Sequence, residues 1–212
     1  MVVWVLADVW GAGLFGRAMV GIGVTAAMVV LVLATQIQVG YWRDSSTLFS
    51  HALGITERNY LAHYKLGLAL AEKGSVTAAR DHYREALMIK PSFVEAHNSV
   101  GHLLMIQGND SEAVAHFEAA IHIRPDFAPA LKNLGDLRLR RGMVEGALTL
   151  YEKALSYEDQ DSELFNNYGV ALATMERTDE AAEQIRKAVD LDPNYGEAKE
   201  NLRKILNSRS RP

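Results

Sequence analysis

The chain has 212 residues and a formal net charge of −4, from 22 Lys and Arg against 26 Asp and Glu. It carries no basic stripe of the kind that neutralises phosphates, which excludes nucleic acid as an expected partner. With no cysteine it has no disulfide, thiolate metal site or cysteine nucleophile, and either redox compartment suits it.

Charge is nearly absent before Tyr41 and dense after it. Residues 1–16, MVVWVLADVWGAGLFG, are apolar but short, and are interrupted by Asp8 and glycines. They are expected to be a membrane-associated segment: the end of another span, a re-entrant piece or an interfacial stretch. Gly11, Gly13 and Gly16 have the G-x-G-x-x-G spacing, but a dinucleotide site also needs a βαβ unit and an acidic residue about twenty positions on. The next acidic residue is Asp44 and no second strand follows, so these glycines read as part of the membrane segment.

Residues 17–40 are the expected transmembrane helix. Ala18–Val39 contains no ionisable side chain, and at about 1.5 Å per residue it spans roughly 33 Å, enough for a hydrocarbon core of about 30 Å. A cleaved signal peptide is the competing reading, although the run is long for a signal core and its small-residue cleavage site is poor. Trp4, Trp10, Tyr41 and Trp42 fall near the ends of the apolar runs, where amphipathic rings favour the headgroup layer. Arg17 precedes the span, while Arg43 beyond it is accompanied by Asp44. The positive-inside rule then places Arg17 in the cytoplasm and the charged region after the span outside it.

From residue 58 to 193 the sequence repeats itself at an offset of thirty-four, the mark of stacked units. Gly67, Gly101, Gly135 and Gly169 keep this spacing, as do Ala79, Ala113, Ala147 and Ala181, and Ala86, Ala120, Ala154 and Ala188. Between the alanines stand Tyr83, Phe117, Tyr151 and Ile185. Small residues belong where helix axes cross closely, and the bulky ones are expected to fill the space between successive hairpins. Gly74, Gly108 and Gly142 stop the first helix of a unit in the left-handed conformation. Pro91, Pro125 and Pro193 begin the next. Ser92 with Glu95 and Asn194 with Glu197 have capping-box spacing. Residues 194–212 read as a capping helix and tail covering the last unit. Residues 41–57 read as a junction and half repeat, since Phe49 and Ala52 lie one period before Tyr83 and Ala86.

This pattern resembles the tetratricopeptide repeat (TPR) family over about 150 residues. The resemblance implies an all-α fold, a right-handed α–α superhelix of TPR hairpins preceded by a transmembrane helix. Three departures stand out: His63, His97 and Leu131 replace a frequent tryptophan, Glu176 replaces the stop glycine, and Asp159 replaces a proline. The third and fourth hairpins are therefore expected to join less rigidly. The junction QVGYWRDSSTLFSHALGITERNYLAHYKLG is also similar to the passage from last span to repeats in polytopic transmembrane-and-TPR proteins of the O-mannosyltransferase-like kind. That likeness implies a non-catalytic C-terminal region that recruits acceptor protein, with repeats on the extracytoplasmic side.

In a TPR superhelix the first helices line a concave groove. One register there gives Tyr64, Asn98, Lys132 and Asn166, and the next gives Lys65, Ser99, Asn133, Asn167 and Asn201. Carboxamides offer both donor and acceptor to an extended backbone, and the run Asn133, Asn167, Asn201 resembles the asparagine ladder of O-linked N-acetylglucosamine transferase repeats. The alternative is that these asparagines only solvate the face. His102 and Asp136 complete the expected groove, which shows no strong acidic or basic preference. His63 and His97, and likewise His82 and His116, sit one period apart. Repetition explains them better than metal ligation, and no catalytic, cofactor or metal set is expected. The function expected is a membrane-anchored interaction module for a protein or extended peptide, without a small-molecule substrate. A soluble secreted adaptor would require the N-terminal segment to be removed.

Overall fold

The computed structural model describes residues 14–209, and every regular element among them is an α-helix. Residues 1–13, with Trp4, Asp8, Trp10, Gly11 and Gly13, lie outside the described residues. The chain divides into two compact units between Glu57 and Arg58.

The first unit contains α1, Leu14–Tyr41, and α2, Ser45–Ile55. Within α1 the stretch Gly21–Tyr41, 21 residues long, has the length and apolar composition to cross a membrane, and none of it is buried. Its threonine hydroxyls are satisfied within the helix: Thr25 and Thr35 donate to the carbonyls of Gly21 and Leu31 at 2.8 and 2.7 Å, a requirement of any segment without water around it. Asp44 then caps α2, its Oδ1 accepting from Thr47 N at 3.0 Å. The Tyr41 ring stacks on His51 with centroids 3.7 Å apart.

The second unit is four helical hairpins and a closing helix. The hairpins pair α3 (Tyr60–Glu72) with α4 (Val76–Ile89), α5 (Val94–Ile106) with α6 (Asp110–Ile123), α7 (Ala128–Arg140) with α8 (Val144–Leu155), and α9 (Ser162–Thr174) with α10 (Thr178–Leu191). The closing helix α11 (Gly196–Arg209) packs Ala198 and Ile205 into the core of the last two hairpins.

The bulky residue of each second helix turns out to lie against the glycine of its own hairpin. A Cβ on Gly101 would stand 2.7 Å from Phe117 Cε1, and one on Gly135 2.6 Å from Tyr151 Cε1. Gly67 meets Tyr83, and Gly169 meets Ile185, in the same way. These four side chains are buried, each contributing about 1.5–3 kcal/mol of apolar transfer. The alanines beside them are fully enclosed, so the sequence period is the period of one close helix crossing.

Helix ends follow the sequence in part. Gly74, Gly108 and Gly142 have φ of +76°, +77° and +74°, and Glu176 takes the same turn at φ +60°. A side chain in that region costs about 1–2 kcal/mol, partly offset by the freedom glycine adds to the unfolded chain. Glu176→Gly should therefore stabilise the fourth hairpin by about 0.5–1 kcal/mol, seen as a raised midpoint in chemical denaturation; an unchanged or lowered midpoint would refute the strain.

The expected capping boxes do not form. Helix α5 starts after Phe93, with no side-chain cap, and Glu95 instead pairs with Arg124 at 2.7 Å. Helix α11 starts at Gly196, and the backbone N–H of Asn194 donates to Asp192. The position before each first helix is Asn59, Phe93, Phe127, Asp161 and Tyr195 in successive units. Where it is aromatic it packs, as Phe93 does against Tyr60 and Tyr64. Where it is Asn59 or Asp161 it accepts from the N–H of Ala62 or Leu164. Six residues, Ser156 to Asp161, join α8 to α9, against four between α6 and α7. The lengthened connection is tied down by Lys132, whose ammonium lies 2.9 Å from Asp161 and 2.5 Å from Glu163.

Candidate functional site

First helices touch the first helices of neighbouring hairpins, α5 with α7, α7 with α9 and α9 with α11, and so form one continuous inner face. That face holds a cleft of about 450 Å³. Six of the residues expected on the groove line it: Asn98, Ser99, His102, Lys132, Asn133 and Asp136. Glu72, Tyr83, Met105, Pro129 and Glu163 complete much of the wall. Glu72 and Glu163 come from the ends of first helices, and nothing in the period singles them out.

The asparagines occupy each other. Asn133 Nδ2 donates to Asn98 Oδ1 at 2.9 Å, and Asn201 Nδ2 to Asn166 Oδ1 at 3.0 Å. Ser99, in the same register as Asn133, shares a hydrogen bond with Tyr64. A residue of one unit thus ties to the residue thirty-five earlier in the previous unit. At Asn167 the partner thirty-five back is Lys132, already held by carboxylates, and Asn167 Nδ2 donates to Asp136 Oδ1 at 2.9 Å instead. The register of Tyr64, Asn98, Lys132 and Asn166 therefore faces the next unit as well as the groove. Asn166 is the extreme case, 0% exposed, which corrects its expected place on the open face. Tyr64 packs on Tyr83 and Phe93, and Asn201 lines a separate cleft with Val170, Thr174 and Lys204.

Charge in the main cleft leans acidic, with Glu72, Asp136 and Glu163 against Lys132, where the sequence suggested no preference. Burial raises the Asp136 carboxyl, opposed by hydrogen bonds from Tyr151 and Asn167 and by the Lys132 charge. The Tyr151 hydroxyl donates to Asp136 Oδ1 at 2.7 Å, and burial together with that carboxylate pushes the phenol strongly up. For Lys132 burial pulls down, but hydrogen bonds to Glu163 and Asp161 outweigh it and leave the ammonium raised. Lys132 is thus a fixed cation bracing the third hairpin to the fourth.

Two tetratricopeptide repeat family models match the chain, one over residues 39–92 and 132–196 and the other over residues 94–127. The chain belongs to the tetratricopeptide repeat family. No curated protein sequence matches it. Among solved structures it is similar to YrrB, a TPR protein with an unusual peptide-binding site, at TM-score 0.62 and 20% identity over 76% of this chain and 83% of that one. It is similar to Pseudomonas aeruginosa PilF at TM-score 0.66 and 22% identity, over 71% and 68% of the two chains. MamA matches at TM-score 0.60 and 18% identity, over 71% and 82%. These likenesses establish the fold, the α–α superhelix of TPR hairpins.

Two of the TPR hairpins contain a contact that the period hid. His63 Nδ1 lies 3.1 Å from His82 Nδ1, and His97 Nδ1 lies 3.1 Å from His116 Nδ1. Each pair joins the two helices of one hairpin, so a comparison across units separates residues that the hairpin brings together. Burial and then the facing His63 lower the His82 pKa, against Asp81 and Glu85. Burial, His97 and Arg84 lower that of His116, against Glu112. A histidine with a depressed folded pKa takes up protons less readily than in the unfolded chain. Its contribution is complete above the ordinary imidazole range of about 6.5 and is lost as pH falls through it. The TPR unit should melt at a lower temperature at pH 5.5 than at pH 7.5, and His82→Gln with His116→Gln should shrink that difference. An undiminished difference would show that other groups carry it.

Proposed function

We propose that this protein is a membrane-anchored TPR interaction module whose inner cleft holds an extended segment of another protein. The observation that carries the reading is the convergence of Asn98, His102, Lys132, Asn133, Asp136 and Glu163 on one cleft of about 450 Å³. An extended peptide along first helices meets such groups at every unit, and recognition by repeated polar contacts suits it. The acidic lean favours a segment with a basic side chain over an acidic one. The asparagines act chiefly as braces between units, so Asn133→Ala or Asn167→Ala would change stability and capture together. His102 and Glu72 are exposed and report on the cleft alone.

The test uses the full chain in detergent micelles, panned against a displayed library of unstructured peptides. Enriched peptides should bind to the chain and lose affinity with His102→Ala combined with Glu72→Ala, at an unchanged melting temperature. Failure to enrich any peptide, or binding indifferent to those substitutions, would overturn the reading.

Anchoring is proposed for α1, from the length and apolar composition of Gly21–Tyr41, with the repeats extracytoplasmic as Arg17 suggests. The passage from an apolar helix directly into a half repeat, with the family match beginning at residue 39, carries a second reading. In it the chain is the non-catalytic TPR region of a polytopic membrane glycosyltransferase of the O-mannosyltransferase-like kind, recruiting acceptor protein. Sequencing the coding region upstream of Met1 decides between them: a run of further spans supports the second, and a genuine start without them sinks it.

A further inference from the structure

The facing histidines carry more than a hydrogen bond. We infer that His63 with His82, and His97 with His116, are two copies of one bidentate site for a divalent late first-row transition ion of the zinc kind, completed by water.

Geometry comes first. The Nδ1 atoms of each pair are 3.1 Å apart. Two zinc–nitrogen bonds of about 2.0–2.1 Å span that separation at an N–Zn–N angle of roughly 100°, and opening it by roughly 0.2–0.3 Å reaches the tetrahedral angle. Neutral imidazole is a preferred ligand of zinc, copper and nickel.

In the second pair the tautomer agrees. His97 Nε2 lies 2.9 Å from the carbonyl oxygen of Pro91. A carbonyl only accepts, so Nε2 carries the proton and Nδ1 of the neutral ring presents its lone pair. Metal-binding histidines are held in this way, by the other ring nitrogen donating to a carbonyl or carboxylate. Without an ion, His116 donates its Nδ1 proton to His97. When the ion enters, that proton leaves Nδ1 and Nε2 takes one up from solvent, so the ring stays neutral and both Nδ1 lone pairs face the metal. All four rings are partly exposed, which leaves room for coordinating water.

The hairpin does not need histidine here. The corresponding positions are Leu131 and Leu150 in the third hairpin, and Phe165 and Gln184 in the fourth. Both hairpins close, Leu131 fully buried and Leu150 packed beside it in the core. The paired histidines of the first two hairpins are therefore free to serve another purpose. No group of three or more metal-ligating side chains occurs among the described residues, so each site offers two protein ligands. The first pair is flanked by Asp81 and Glu85, whereas the second has Arg84 as well as Glu112 nearby. The His63–His82 site is the tighter of the two.

The test is zinc titration of the full chain in detergent micelles at pH 7.5, followed by calorimetry, with magnesium as control. Two equivalents of zinc should bind, one tighter than the other, and magnesium should not compete. His82→Gln should leave one equivalent, and His82→Gln with His116→Gln should leave none of that affinity. Lowering the pH below the imidazole range should weaken binding, since the ligands must be deprotonated. Should a substituted chain fail to fold, nitrogen NMR of the unsubstituted chain decides: zinc should move the Nδ1 signals of the four paired histidines and leave His97 Nε2 protonated. No zinc binding, two equivalents retained by the double variant, or shifts confined to Nε2 atoms would each overturn the assignment.

Discussion

Phe117→Ala should destabilise the repeat unit by about 3–5 kcal/mol, the cost of emptying a buried aromatic site. The ring is fully buried and lies against Gly101, in a core with Val100, Leu104, Leu134 and Leu137 from α5 and α7. It therefore holds its own hairpin closed and seats the next one. Gly101→Ala alone should cost about 1–3 kcal/mol by overpacking, because the new methyl would stand 2.7 Å from a ring atom with no room to turn. The two effects should not add. In the Phe117→Ala background the extra methyl enters the space the ring has left, and its cost should fall to near zero. Equilibrium denaturation of the four chains, wild type, two single variants and the double, measures this coupling. Additive losses would mean that glycine and ring do not share one volume. Stacked repeats lose stability locally, so hydrogen exchange should show α3 to α6 exposed first. Helices α9 to α11 draw on the separate core around Leu164, Leu172 and Ile185 and should keep their protection.

Why these features could be read from sequence, and others not, is a matter of which partner each residue has. Gly67, Gly101, Gly135 and Gly169 each meet one bulky side chain at a fixed place in the same hairpin, so the requirement recurs unchanged and the period displays it. Gly74, Gly108 and Gly142 record a backbone requirement, and Glu176 shows the backbone keeping its turn when the residue changes. The asparagine register was visible, but its role was not. Asn133 and Asn201 each reach the residue thirty-five positions back, and only the packing of one first helix on the next shows that their donors are engaged. Ser92 and Glu95 matched a capping pattern out of frame, since the helix begins one residue later on an aromatic. The histidine pairs were hidden because the informative offset is nineteen residues within a hairpin, and self-comparison looks only between hairpins. The acidic lean of the cleft depends on Glu72 and Glu163 at helix ends, which no periodic pattern marks.

Leu31→Arg should remove the protein from membranes. Leu31 is the middle residue of Gly21–Tyr41 and is 66% exposed, so no packing among the described residues accounts for its being leucine. At the centre of a membrane helix leucine favours insertion by about half a kcal/mol and arginine opposes it by about 2.5–3.5 kcal/mol. The exchange thus costs about 3–4 kcal/mol, more than a hundredfold in the insertion equilibrium. The same change at Trp42, beyond the end of α1, should cost little, because a long side chain there reaches the interface. Carbonate extraction reads the outcome: the unsubstituted chain and Trp42→Arg should stay with the membrane, and Leu31→Arg should be released. Release of the unsubstituted chain, or a purified mass lacking α1, would favour a removed leader over an anchor. Because the chain has no cysteine, a single Ser111→Cys at an exposed position of α6 also reports the side. An impermeant maleimide added to intact cells should label it, and labelling only after lysis would place the repeats in the cytoplasm, against the asymmetry of Arg17 and Arg43.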